Sequence, residues 1–163
     1  MTTQDFQILY EFNSWANART RQAVESLSEE KLYVDMKNSF GSIHATLVHL
    51  VGAENVWLQR MNRVESVFIK TEQYPKYDLL KTKWKEVEEG WQKFISSLPE
   101  ETLQHTITFK NLKGEEVTDV VWMALQHIVN HSTYHRGQIT TMVRQAGGTP
   151  VGTDLIAFYR SKK

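Results

Sequence analysis

Cysteine is absent from the chain, which removes disulfides, thiolate metal ligands and a cysteine nucleophile together. Any thiol chemistry needs a thiol brought in from outside. Proline occurs only at Pro75, Pro99 and Pro150, and glycine is modest at eight residues, so long stretches run free of helix breakers. A surplus of either charge is missing too, since 19 Lys and Arg balance 19 Asp and Glu. Proteins that grip nucleic acid by its phosphates normally carry a basic surplus or stripe, so no nucleic-acid partner is expected. No stretch approaches the ~20 apolar residues of a membrane span. The start, Met1-Thr2-Thr3-Gln4-Asp5-Phe6, lacks the basic region and apolar run of a signal peptide. A cytoplasmic protein with no membrane partner is expected.

What is present suits a single folded domain over residues 1–163, with 40% apolar and 23% charged residues. Apolar residues recur at helical spacing in four long segments. The first runs from about Thr3 to Leu27, with Thr2 or Thr3 as cap. Gly41-Ser42 opens the second, whose buried side carries Ile43, Leu47, Leu50, Val51, Trp57, Leu58 and Met61. The third spans Tyr77 to Ser97 and stops at Pro99. The fourth runs from a cap at Thr118 or Asp119 to about Gln145, closed by Gly147-Gly148. Before it, 106–109 and 116–118 read as two short strands about a turn at Asn111-Leu112-Lys113-Gly114. A last short helix is expected over Asp154 to Tyr159. The fold class is all-α, a four-helix bundle with a β-hairpin ornament before the last long helix. The long link from Arg63 to Lys76 means that simple up-down-up-down connectivity is not required. The five tryptophans read as core.

Three of the six histidines, His127, His131 and His135, fall at four-residue steps on the fourth helix. Each such step turns the side chain by only about 40°, so His131 and His135 stack on one face. That spacing lets one helix offer two imidazole nitrogens to a single ion. It also serves surface histidines and hydrogen-bonded core histidines. A third ligand must come from another helix. His44 and His49 lie about 140° apart on the second, so one faces the core and the other does not. His49, between apolar neighbours, is the candidate. His105 is expected to be solvated, and His127 to be a surface or satisfied core histidine.

Three segments, in order, resemble the DinB/YfiT-like metalloenzymes, also called the damage-inducible DinB family. They are Asn13-Ser14-Trp15-Ala16-Asn17-Ala18-Arg19, then Thr46-Leu47-Val48-His49-Leu50 with Glu54 and Trp57 beyond, then His127 through Gln138 with its three histidines. The last is the most specific, and together they cover nearly the whole chain. The resemblance implies a metal triad of His49, His131 and His135, up-down-down-up connectivity, and a homodimer. It also implies a possible role as a transferase using a low-molecular-weight thiol such as bacillithiol or mycothiol, although many members have no assigned reaction.

Three protein ligands leave a coordination position open for water or substrate, the mark of a catalytic site. The expected cofactor is a divalent transition metal, zinc or nickel foremost, acting on a small-molecule substrate with an external thiol. Metal-dependent hydrolysis is the rival enzyme, and a non-catalytic metal-binding dimer is the reading from another class. Glu54 lies about 140° round the helix from His49, poorly placed as a base, and is expected at the surface or between helices. Asn17, Tyr134 and Gln138 are candidates for orienting ligands or substrate, with bundle packing an equal explanation. Arg136 is expected to pair with a substrate acid or with a neighbouring helix.

Overall fold

The computed structural model describes all of residues 1–163. Helix α1 covers Thr3–Val24 and begins with a capping box, in which Thr2 and Asp5 satisfy each other's backbone N–H. Ser42 caps α2, Ile43–Met61, by accepting from the Ala45 N–H at 3.1 Å. Helix α3 is Tyr77–Ser96, and Pro99 follows closely behind it. Strands β1, Thr106–Lys110, and β2, Glu116–Val120, pair antiparallel with Thr108 opposite Thr118. Helix α4, Val121–Gln145, ends in a Schellman motif. Gly147 takes φ +80°, the Gly148 N–H reaches the Val143 carbonyl and the Gly147 N–H reaches that of Arg144. Helix α5, Leu155–Ser161, closes the chain.

The contacts between helices fix their directions. Tyr10 donates to the Leu125 carbonyl near the start of α1 and α4, and Ser26 accepts from the Thr149 N–H near their ends, so the two run parallel. His49 meets His131 and His135, and Trp57 meets His127, so α2 runs against α4. Tyr33 links the start of α3 to His44, and Trp91 donates to the Glu54 carbonyl, so α3 follows α2. The ion pairs of Glu25 with Lys81 and of Arg21 with Glu88 set α1 against α3. The bundle is therefore up-down-down-up, with α1 and α2 on one diagonal and α3 and α4 on the other. No helix is long and apolar enough to cross a membrane.

The sequence expectations are corrected in three places. Thr118 and Asp119 do not cap α4, because β2 runs through them into the helix and Val120 takes the cap position without a side-chain bond. The Val121 N–H is satisfied by the His105 carbonyl instead. Helix α1 stops at Val24, short of Leu27, and a 3-10 turn at Glu29–Tyr33 follows. Of the tryptophans, Trp84 and Trp91 are core, whereas Trp15, Trp57 and Trp122 are only partly buried.

Candidate metal centre

Antiparallel packing of α2 on α4 brings His49 opposite the turn that carries His131 and His135. The Nε2 of His131 lies 3.2 Å from Nε2 of His49 and 3.1 Å from Nε2 of His135. All three ligand atoms fall within 4.8 Å of one another. A tetrahedral ion with nitrogen bonds of ~2.0–2.1 Å holds its ligands about 3.3 Å apart, close to the two short separations. His135 Nδ1 is 2.8 Å from Gln138 Oε1, so that nitrogen carries the hydrogen and the Nε2 lone pair points at its neighbours. Phe40 stacks on His49 with ring centroids 4.2 Å apart and meets His135 edge-on.

Neutral tautomers leave the three facing nitrogens at most one hydrogen to share. His135 Nε2 can only accept, and His131 Nε2 cannot both donate to His135 and accept from His49. His131 Nδ1 is buried without any partner. A cation at the meeting point turns the three facing lone pairs from a mutual repulsion into a ligand set, so the residues fit a metal. The electrostatics agree. Burial, then the neighbouring His135, push His49 down to about 4. Burial, then His135, His49 and His127, push His131 down to about 3. Burial also lowers His135, opposed by its bond to Gln138. All three are therefore neutral near pH 7, the state that ligates.

His49 and His131 open onto a cleft of about 340 Å³ between α2 and the tip of the hairpin. Trp57 and Phe109 form its apolar wall, Arg60 and Lys113 supply charge, and no carboxylate lines it. The sequence reading missed Arg60 and took Trp57 for core. The signal was available: His49, Ala53, Val56, Trp57 and Arg60 recur at helical spacing and share one face of α2.

The other candidates resolve one by one. His105 and His127 are exposed, as expected, and the His127 ring packs on Trp57 at 5.5 Å. His44 departs from the expectation that only one of the α2 histidines faces inward: it is 1% exposed, packed on Tyr33, and its Nε2 is buried without a partner. The 3-10 turn and the link into α3 cover the side of α2 that was expected to be open. Glu54 is an inter-helix residue and fully buried. It accepts from Asn13 at 2.8 Å, Asn17 at 3.2 Å and Ser132 at 2.8 Å, and turns away from the cleft. Arg136 belongs to a neighbouring helix, not to substrate, donating to the side-chain carbonyls of Asn13 and Asn17. Asn17 is part of that network, Gln138 orients His135, and Tyr134 is exposed.

The DinB family model matches residues 1–163 of the chain. The chain is 30% identical over 156 residues to Protein DinB of Bacillus subtilis (strain 168), covering 90% of this chain and 88% of that protein. Among solved structures it is similar to a DinB-like protein from Bacillus cereus ATCC 10987. There the TM-score is 0.63 and the identity 22%, covering 85% of this chain and 92% of that one. A conserved protein from Enterococcus faecalis gives a TM-score of 0.70 at 13% identity, over 85% and 94% of the two chains. The DinB-like protein YjoA of Bacillus subtilis gives 0.64 at 18%, over 90% and 96%. At these identities the structures speak to the fold.

Proposed function

The chain belongs to the DinB family, and we propose that it holds one divalent transition metal ion through His49, His131 and His135 and transfers a low-molecular-weight thiol. The observation that carries the reading is the meeting of three imidazole Nε2 atoms, of which His135 carries no hydrogen and the other two have at most one to share. Zinc and nickel both suit all-imidazole ligation. An ion so held supplies Lewis acidity, lowering the pKa of water or thiol in its open position.

The chain's own residues set up the rest. Gln138 fixes the tautomer of His135, and burial keeps all three histidines unprotonated. Phe40 shields one side, so substrate approaches from the cleft. The absence of a carboxylate from that cleft leaves an attacking water without the usual general base beside it, which favours thiol transfer over hydrolysis. A thiol, acidic enough to ionise against a Lewis acid, needs none. A cytoplasmic homodimer completes the reading. A metal-dependent screen pairing cysteine-derived thiols with alkyl and epoxide electrophiles tests it. Turnover lost in His131→Ala supports transfer. Metal bound without turnover in any pairing leaves the non-catalytic metal-binding dimer.

A further inference from the structure

Arg60 stands at the far end of the α2 face that begins with His49. Its guanidinium lies 3.9 Å from the Phe109 ring centroid and 4.7 Å from that of Trp57, and the residue is only 9% exposed. Burying a guanidinium is expensive unless its charge and its donors find partners. Here they largely do not. One hydrogen bond is made, from Nη2 to the Lys110 carbonyl at 3.2 Å, and Nε is buried with no acceptor. Nη1 bonds nothing in the protein and is not completely buried. None of the six ion pairs of the chain includes Arg60. The field of Asp119 on β2 favours its charge, but burial outweighs that and lowers its pKa.

The guanidinium sits between the cleft that reaches the histidines and a larger groove of about 780 Å³ across the hairpin. Lys113 at the hairpin tip adds a second cation to the cleft, which has no carboxylate. Between the two ends the walls are aromatic. A volume of about 340 Å³ is at the small end for a small-molecule site. We propose that Arg60 is a substrate-positioning residue, and that the cleft selects a small organic carboxylate with an apolar middle whose other end reaches His49 and His131. The carboxylate completes the coordination of a guanidinium that the protein leaves short of acceptors, while Trp57 and Phe109 hold it in place by stacking. The role of the histidine end rests on the metal reading above; the anion end stands without it.

The alternative is that Arg60 only pins the hairpin to α2 through Phe109 and Lys110. NMR titration with hexanoate and with 1-hexanol separates the two, on wild type, Arg60→Met and Arg60→Lys, each as purified and after EDTA. In wild type, hexanoate is expected to shift the Arg60 Nε–H and Trp57 indole resonances and to bind at least about tenfold tighter than hexanol, as one charge-assisted hydrogen bond allows. Arg60→Met should bring that ratio near one, and Arg60→Lys should keep part of it. The wild-type Arg60 shift is read without any variant, so misfolding of Arg60→Met does not obscure the answer. Binding of hexanoate that leaves the Arg60 resonance still, or a ratio unchanged in a folded Arg60→Met, overturns the proposal. A preference that vanishes with EDTA yet ignores Arg60→Met places the carboxylate on the metal, so this inference falls while the metal reading stands. A preference that follows Arg60 in a protein found to bind no metal does the reverse.

Discussion

Removing the Glu54 carboxylate should destabilise the bundle by about 3–5 kcal/mol, the usual cost of stripping one partner from a buried charged network. Glu54 and Arg136 are both fully buried and do not touch directly. Asn13 and Asn17 stand between them, each donating its amide to Glu54 and accepting from Arg136 Nη1, at 2.6 Å and 2.8 Å on the arginine side. In Glu54→Ala, the Asn13, Asn17 and Ser132 donors lose their acceptor and the Arg136 charge loses its counterpart. Burial already lowers Arg136 to about 10, with Glu54 and Glu88 opposing the drop. At roughly 2–4 °C per kcal/mol for a chain of this size, the melting temperature should fall by roughly 6–20 °C. Glu54→Gln keeps an oxygen but removes the charge and should cost less, about 1–3 kcal/mol. Adding Arg136→Met to Glu54→Ala should recover part of the loss, since the second change removes the stranded charge. Urea unfolding of wild type, Glu54→Ala, Arg136→Met, the double variant and Glu54→Gln, at constant m-value, is the assay. Glu54→Ala within about 1 kcal/mol of wild type, or strict additivity in the cycle, would refute the idea that these residues form one charged network.

Gln138→Leu removes the acceptor that fixes the His135 tautomer, and metal affinity should weaken about 10–100-fold, read by competition against a chromogenic chelator; unchanged affinity means that Gln138 does not orient the ligand. Acidification supplies another test. Burial holds His44, His49, His131 and His135 below the ordinary imidazole value of 6.5 in the folded state, so below that pH the unfolded chain binds more protons than the folded one. Metal-free protein should therefore hold its stability above pH 6.5 and lose it steadily as the pH falls through 6.5 toward the folded values near 3 and 4. A urea midpoint that stays flat from pH 7 to about pH 4.5 contradicts the burial of these imidazoles.

The four long helices were legible because their stops and starts are chemical: Thr2 and Ser42 cap, Gly147 terminates, and Pro99 forbids continuation. The start of α4 was not, because β2 passes into it through Val120 with no capping side chain to mark the border. His131 and His135 followed from helical spacing, and the choice of His49 over His44 followed from its apolar neighbours, completed by the family resemblance. What failed was the rule that an angular offset on α2 separates inside from outside. Thirteen of its 19 residues are buried, so α2 has little outside. The same 140° that takes Glu54 off the histidine face delivers it to the centre of the bundle, and His44 at a like offset lies beneath Tyr33. Arg60 was missed because an arginine near a helix end reads as solvated; besides Trp57 of its own helix, the aromatic rings that enclose it come from the hairpin and the link after α2.

The metal content of the protein purified without a histidine tag or nickel column, measured by mass spectrometry beside His131→Ala, decides whether the three imidazoles hold an ion. About one zinc or nickel ion per chain in wild type, absent from a folded His131→Ala, is the result expected of three imidazoles arranged as a ligand set. No metal in wild type, even after dialysis against zinc and against nickel, would contradict it and leave the three histidines a structural role.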